Sequence, residues 1–423
     1  MDRDIEKRVT VVTDDRRLNQ SGSSPLFTAF AVSLLTLVVV TTLFLLSNFS
    51  SMQPQRDFSE VKIEIKRVIP HDLPLRSEKE SKSNYPTKQQ TQVMMTPPPN
   101  LNTTVKEKLQ VIEVFRGNNL SEKFQRKTQK FIGEGCEVNF VMTWISSADL
   151  FGKREVLAIE SVFKSHPHGC LMILSATMDS PKGYTTLKPF LDRGYKVVAA
   201  TPDLRFLLKG TAGESWLQEI KTGKRDPGKI PLAQNLSNLM RLAYLYRYGG
   251  VYLDTDMIVL KSFKGLKNVI GAQSLDPSSR NWTRLNNAVM IFDKNHPLLL
   301  RFIEEFAQSF NGNVWGYNGP YLVSRVARAV EGSSGYNFTI LRPSALYPVN
   351  WLEIEKFFKV PKTERDSKWI KVKLVQMQRR SYGLHLWNKI SRKLEIEKGS
   401  AMWRLVSEHC VICELGSAPY SSV

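Results

Sequence analysis

NLSNLMRLAYLYRYGGVYLDTD, residues 235–256, passes from a helical pattern through two glycines into a short apolar run that ends on an acid pair. Asn235 or Ser237 can cap a helix whose Leu239, Leu242, Ala243 and Tyr246 form an apolar stripe. Gly249 and Gly250 stop that helix, because glycine takes the left-handed backbone a helix end demands. Val251, Tyr252 and Leu253 then enter the core as a strand. In an extended segment residues two apart point the same way, so Asp254 and Asp256 are expected to present both carboxylates to one point. Hard oxygen ligands converging at a strand end describe a Mn²⁺ or Mg²⁺ site with coordination positions left for substrate phosphates. A D-x-D triplet by itself is most often a solvated turn. Here VYL before it and MIVL after it argue against a turn. The acids and terminal Glu of a calcium loop are missing. A haloacid-type phosphatase also places Asp-x-Asp after an apolar strand, but its further Thr/Ser, Lys and Asp motifs find no place in the chain.

Upstream of this stretch, CEVNFVMTW (136–144) and CLMILSAT (170–177) are short apolar runs that end in polar or small residues, and REVLAIESVFKSH (154–166) between them has helical spacing. A third step follows, with a helix near TLKPFLDRG (186–194) and a strand in YKVVAATP (195–202). Such alternation predicts an α/β fold: a mostly parallel sheet covered by helices, with ligands at the C-terminal ends of its strands.

The N-terminal part of the 423-residue chain reads differently. Residues 26–46, LFTAFAVSLLTLVVVTTLFLL, carry no charge, and none occurs between Arg17 and Arg56. At about 1.5 Å per residue this run spans a bilayer core of roughly 30 Å. It is too long and begins too late for a cleaved signal peptide. Arg16 and Arg17 before it predict a cytoplasmic tail (1–25), a signal anchor (26–46) and single-pass type II topology. Residues 47–135 are rich in Gln, Ser, Lys and Pro and predict a largely disordered stalk, with a short helix within 104–131. A luminal domain is expected over 136–423.

Six N-x-[ST] sequons, at Asn48, Asn102, Asn119, Asn235, Asn281 and Asn337, follow the anchor and agree with a luminal location, though such triplets arise by chance. Four cysteines, Cys136, Cys170, Cys410 and Cys413, suit disulfides in an oxidising compartment; one CxxC without a second pair is poor evidence for zinc. Cys136 and Cys170 precede the first two strands by similar offsets, so adjacent parallel strands would bring them together as a disulfide. The formal charge of +19 lies wholly beyond the anchor, since residues 1–47 carry five basic and five acidic residues. That surface suits anionic partners such as lipid headgroups, acidic glycans and nucleotide phosphates. No Lys/Arg block, zinc-finger spacing or RNA-binding signature points to nucleic acid.

The block SNLMRLAYLYRYGGVYLDTDMIVLKS (237–262) resembles the sugar-nucleotide-binding DXD region of glycosyltransferase family thirty-two. Downstream, LNNAVMIFDKNHPLLLRF (285–302), WGYNGPYLVSRV (315–326) and SYGLHLWNK (381–389) resemble the C-terminal part of the α-1,4-galactosyltransferases. The similarity runs in order over about 136–415, with the DXD region at about 136–270 and the second part at about 280–415. It implies a GT-A-type glycosyltransferase fold in a Golgi type II membrane enzyme. It implies, too, a UDP-sugar donor, commonly UDP-galactose, whose diphosphate is bridged by Mn²⁺ through Asp254 and Asp256. A glycan or glycolipid acceptor and retention of anomeric configuration in an α-linkage complete the expectation. No nucleophile for a double displacement can be named.

The same resemblance assigns the remaining site residues. Arg241 matches the family arginine, and Asn238 stands where the family usually has Asp; three residues apart on one helix face, both are expected at the donor sugar. Tyr252 belongs to the same motif. His385, Trp387, Asn388 and Lys389 are expected to close over the diphosphate and metal. Asn286 and Asn287 are expected on a donor-contacting loop, and Asn318, Gly319 and Pro320 on an acceptor or sugar loop. Trp144, at the end of the first strand, either sits near the nucleotide base or plugs the core. The departure at Asn238 also leaves room for a catalytically silent, lectin-like protein on this fold.

Overall fold

A computed structural model describes residues 119–133 and 135–412. The expected tail, anchor and most of the stalk lie outside those residues. Among the described residues, no helix is long and apolar enough to cross a membrane.

Among the described residues nine strands form two sheets. In chain order they are β1 (Asn139–Thr143), β2 (Cys170–Leu174), β3 (Lys196–Ala200), β4 (Gly250–Leu253), β5 (Met257–Val259), β6 (Val269–Leu275), β7 (Trp282–Phe292), β8 (Thr339–Leu341) and β9 (Gly383–His385). The main sheet has the order β3-β2-β1-β4-β7-β6-β8. Only β7 runs against the rest: its pairings with β4 and β6 are antiparallel, and all others are parallel. This is the mostly parallel, helix-flanked sheet that the resemblance implies.

The pleat sorts the strand residues between two cores. Val141, Met172, Tyr252 and Met290 pack on one face with the Leu232–Tyr248 helix, while Phe140, Met142, Leu171, Val251, Leu253 and Val289 pack on the other. Burial on both faces explains why these strands read as continuous apolar runs. A third cluster joins Ile258 of β5 and Leu384 of β9 to Phe357, Phe358 and Met402, so the C-terminal segment has its own core.

The helix expected within 104–131 is present at Leu120–Ile132. Phe124 is 2% exposed and belongs to the first core, so the folded unit reaches back into the stretch predicted as stalk. The Leu232–Tyr248 helix begins earlier than its sequence suggests. Pro231 takes the N-cap position, which leaves Asn235 and Ser237 inside the helix. Asn235 is buried, and its Oδ1 accepts a hydrogen bond from Asn318 Nδ2 (3.0 Å), so this sequon is closed to modification in the folded chain. The glycine pair behaves as expected, with φ of 69° at Gly249 and 102° at Gly250; a Cβ on Gly250 would meet Asn139 O at 2.6 Å. Cys136 and Cys170 form a disulfide with Cα atoms 5.6 Å apart. Cys410 is also disulfide-bonded, to a partner outside the described residues.

Candidate functional site

The acid pair does not lie on an extended strand. Asp254, Thr255 and Asp256 form a tight turn between β4 and β5, in which Met257 N donates to Asp254 O (3.1 Å). The apolar flanks that argue against a turn belong to two different strands: Val251 and Leu253 of β4 share one core with Met257 and Val259 of β5, while Ile258 packs in the C-terminal cluster. The carboxylates nevertheless converge. Ligand atoms of Asp254, Asp256 and His385 lie within 4.8 Å of one another, the only such three-residue group of His, Cys, Asp or Glu among the described residues.

Each ligand is held by a distinct element. Asp254 Oδ1 accepts from Tyr252 Oη (2.6 Å) and from Arg241 Nη1 (3.0 Å). Arg241, 2% exposed, also donates to Asn287 O (2.7 Å), Ser237 O (3.2 Å) and Ser237 Oγ (3.0 Å), and its guanidinium lies 4.3 Å from the Tyr252 ring centre. Burial pushes the Asp254 carboxyl above the ordinary carboxylate range, a direction that Arg241 opposes and Asp256 reinforces. Burial likewise raises the Tyr252 hydroxyl, which keeps it a donor. Asp256 arrives next to His385 because β5 pairs antiparallel with β9, Met257 opposite His385. His385 Nε2 is 3.4 Å from Asp256 Oδ1, while Asp256 Oδ2 accepts from Asn388 N (2.9 Å).

Above this turn opens a cavity of about 1020 Å³. Its walls include Asp254, Asp256, Asn238, Arg241, Asn286, Asn287, Trp144, Pro320, His385, Trp387, Asn388 and Lys389, so most residues singled out in the sequence meet here. Asn238 Oδ1 accepts from Asn287 Nδ2 (2.9 Å), and Asn286 Nδ2 donates to Gln273 Oε1 (2.9 Å), an amide array along one wall. Trp144 lines the cavity, yet is 8% exposed with its Nε1 donating to Ser147 O (3.0 Å). Lys389 Nζ lies 4.2 Å from the Trp315 ring centre across the mouth.

Three expectations need correction. Tyr252 is fully buried and does not line the cavity; it positions Asp254 from behind instead of touching a donor. Asn318 is 2% exposed and tied to Asn235 and Asn311, so it holds the loop together rather than meeting a sugar. Gly319 serves the wall indirectly, because a Cβ there would lie 2.9 Å from Asn238 Oδ1. Arg241 lines the cavity as expected of a residue at the donor side, but its nitrogen donors are spent mainly on the protein.

Sequence reasoning passed over Thr143, Glu155, Arg284, Trp315, Tyr321, Trp351, Arg392 and Lys393, which also line the cavity. Trp315 and Tyr321 stand inside the quoted WGYNGPY, where two exposed aromatics beside a tight loop were the available signal. Arg392 and Lys393 follow Asn388 by about one helical turn.

The site therefore defines a protein with a DXD-bearing pocket that suits an anionic ligand and a cation. Residues 152–276 match the family described as glycosyltransferase sugar-binding region containing DXD motif, and residues 291–414 match the alpha 1,4-glycosyltransferase conserved region. The chain belongs to this α-1,4-glycosyltransferase family. It is 30% identical to human lactosylceramide 4-alpha-galactosyltransferase over 257 residues, 57% of this chain and 66% of that one. Over 271 residues it is 27% identical to human alpha-1,4-N-acetylglucosaminyltransferase, covering 60% of this chain and 73% of that one. An uncharacterized Arabidopsis thaliana protein is 30% identical over 292 residues, 67% of this chain and 43% of its own length. The chain thus spans less than two thirds of the human galactosyltransferase and of the Arabidopsis protein.

Proposed function

We propose that the protein is a metal-dependent hexosyltransferase. It moves a hexose, galactose in the first instance, from a UDP-sugar to a glycan or glycolipid acceptor and forms an α-linkage with retention, 1,4 by family. The observation that carries this reading is the Asp254, Asp256 and His385 group on the floor of a cavity large enough for a sugar nucleotide. The donor set fits a divalent cation such as Mn²⁺ or Mg²⁺: two carboxylates and an imidazole. Nearby, Asn388 Oδ1 is buried with no hydrogen-bond partner, a polar atom left for a ligand. Trp387 N donates to His385 Nδ1 (3.1 Å), which assigns the proton of a neutral ring to Nε2; His385 would hold a cation through Nε2 only with that proton moved to Nδ1 and the bond from Trp387 N given up.

The bound cation would supply charge compensation for the departing diphosphate. The chain's own residues do the rest. Arg241 and Tyr252 fix the Asp254 carboxylate, Asn388 N fixes Asp256, and Lys389 and Arg392 bring positive charge to the wall where phosphates would lie. Asn238 and Asn287 offer amides to sugar hydroxyls. The apolar run at 26–46 and the Arg pair before it support a Golgi type II placement with the folded unit in the lumen.

The test is release of UDP from UDP-galactose by the full-length chain in detergent. Turnover is expected with Mn²⁺ and lost on Asp256→Ala, with an unchanged melting curve. Undiminished turnover in excess EDTA would sink the reading.

A further inference from the structure

Beside the main cavity lies a second one of about 690 Å³, and Tyr321 lines both. The partition between them is aromatic and open to solvent: Trp315 is 46% exposed and Tyr321 38%. Gly316, at φ 75°, lets the loop close on the Tyr321 ring, where a Cβ would lie 3.2 Å from Cε2. An aromatic face of this kind takes the apolar C–H face of a pyranose.

The charge in the second cavity is one-sided. Its lining includes Arg325 and Arg328 and no acid, and Arg284 reaches over Tyr321, 4.5 Å from the ring centre, from the main cavity. Arg325 is committed to Glu305 (3.0 Å) and Ser309. Arg328 stacks on Trp282 at 4.6 Å, and among the described residues no carboxylate pairs with it or with Arg284. Glu331, which accepts from Trp282 Nε1 (3.4 Å), does not line the cavity. Two guanidiniums held over aromatic rings, with no carboxylate partner, are suited to an oxyanion.

We propose that the second cavity is an acceptor subsite for an acidic oligosaccharide: the sugar that receives the transfer sits over Tyr321, and the next unit lies in the second cavity with a carboxylate or sulfate against Arg328 and Arg284. The inference rests on the transferase reading for its direction, since it places the acceptor hydroxyl toward the Asp254 and Asp256 turn.

The test measures binding without donor or metal. The full-length chain in detergent is applied in EDTA to an array that pairs neutral tri- and tetrasaccharides with their uronate-, sialate- and sulfate-bearing counterparts. The acidic members are expected to be retained about two- to five-fold better, the scale of one exposed ion pair. That preference is expected to vanish in Arg328→Glu, to persist in Arg328→Lys and to fall in high salt. The pattern across the array separates carboxylate from sulfate. Equal retention of neutral and acidic members, retention of neither, or a preference that survives both Arg328→Glu and high salt would overturn the subsite. Metal-dependent release of UDP from UDP-galactose is measured on the same preparation: its loss counts against the transferase reading, while turnover without acidic preference counts against the subsite alone.

Discussion

Replacing Tyr252 by Phe isolates the support of one metal ligand. The hydroxyl lies 2.6 Å from Asp254 Oδ1 and 2.9 Å from Thr143 Oγ1 in a fully buried setting, so the substitution removes two hydrogen bonds and little volume. Neither partner is orphaned: Asp254 keeps Arg241 at 3.0 Å, and Thr143 keeps Ser237 Oγ at 2.6 Å. The cost is therefore at the low end for a hydrogen bond to a charged group, about 1.5 kcal/mol, or roughly 2 to 3 °C in Tm for a domain of this size. The functional consequence has a sign. Burial already raises the Asp254 carboxyl, and the Tyr252 hydroxyl is one of the groups that holds it down. Without that hydroxyl the carboxyl rises further, and because a cation binds only the ionised form, the pH midpoint of Mn²⁺ binding moves up. Titration of Mn²⁺ by electron paramagnetic resonance between pH 5.5 and 8 is expected to show wild type and Tyr252→Phe converging at the alkaline end and separating toward the acid end. Identical midpoints in a folded variant would refute the claim that Tyr252 sets the charge state of Asp254.

Three further outcomes are expected. His385→Ala lowers Mn²⁺ affinity by about ten-fold or more, read by calorimetry, because a nitrogen ligand is lost while the β5 and β9 backbone pairing remains. Asn238→Asp changes the ratio of turnover among UDP-galactose, UDP-glucose and UDP-N-acetylglucosamine while metal dependence stays; a hydrogen bond mismatched at that wall is worth roughly 1 to 3 kcal/mol, about ten- to a hundred-fold in selectivity, and an equal change for all donors would remove Asn238 from donor choice. Cys170→Ser opens a bridge between residues 34 apart and costs about 3 to 4 kcal/mol in the chain-entropy view, seen as a fall in Tm.

Strands β1 to β4 were legible because parallel strands buried on both faces read as unbroken apolar runs, and the glycine pair was legible because only glycine tolerates φ of 69° and 102° there. The turn at Asp254 was not. Its apolar neighbours look like one strand because Val251, Leu253, Met257 and Val259 all pack with the second core, and the reversal at Thr255 and Asp256 between them carries no glycine or proline to mark it. Helix start was misplaced because Asn235 and Ser237 are good capping residues whose side chains serve tertiary contacts instead, with Asn318 and Thr143. Arg241 and Tyr252 were recognised as motif members, yet only the packed geometry distinguishes a residue that touches a ligand from one that holds the residue that does.

The metal group also explains why the two matched regions must fold as one. Asp254 and Asp256 lie in the first, 152–276, and His385 and Asn388 in the second, 291–414. They are joined by backbone: Leu386 N donates to Asp256 O (2.8 Å), and Asn388 N turns back to Asp256 Oδ2. That reversal requires Trp387 to take φ 56°, a left-handed conformation costing a bulky residue about 1 to 2 kcal/mol. The indole is held there by Nε1 donating to Val349 O (2.8 Å) and by edge contact with His385 at 4.3 Å. Loss of this anchorage would free Trp387 to relax, release Asn388 N from Asp256 and loosen His385 in the same step. The C-terminal core of Phe357, Phe358, Leu384 and Met402 is thereby tied to the candidate site, because it fixes the strand on which His385 stands.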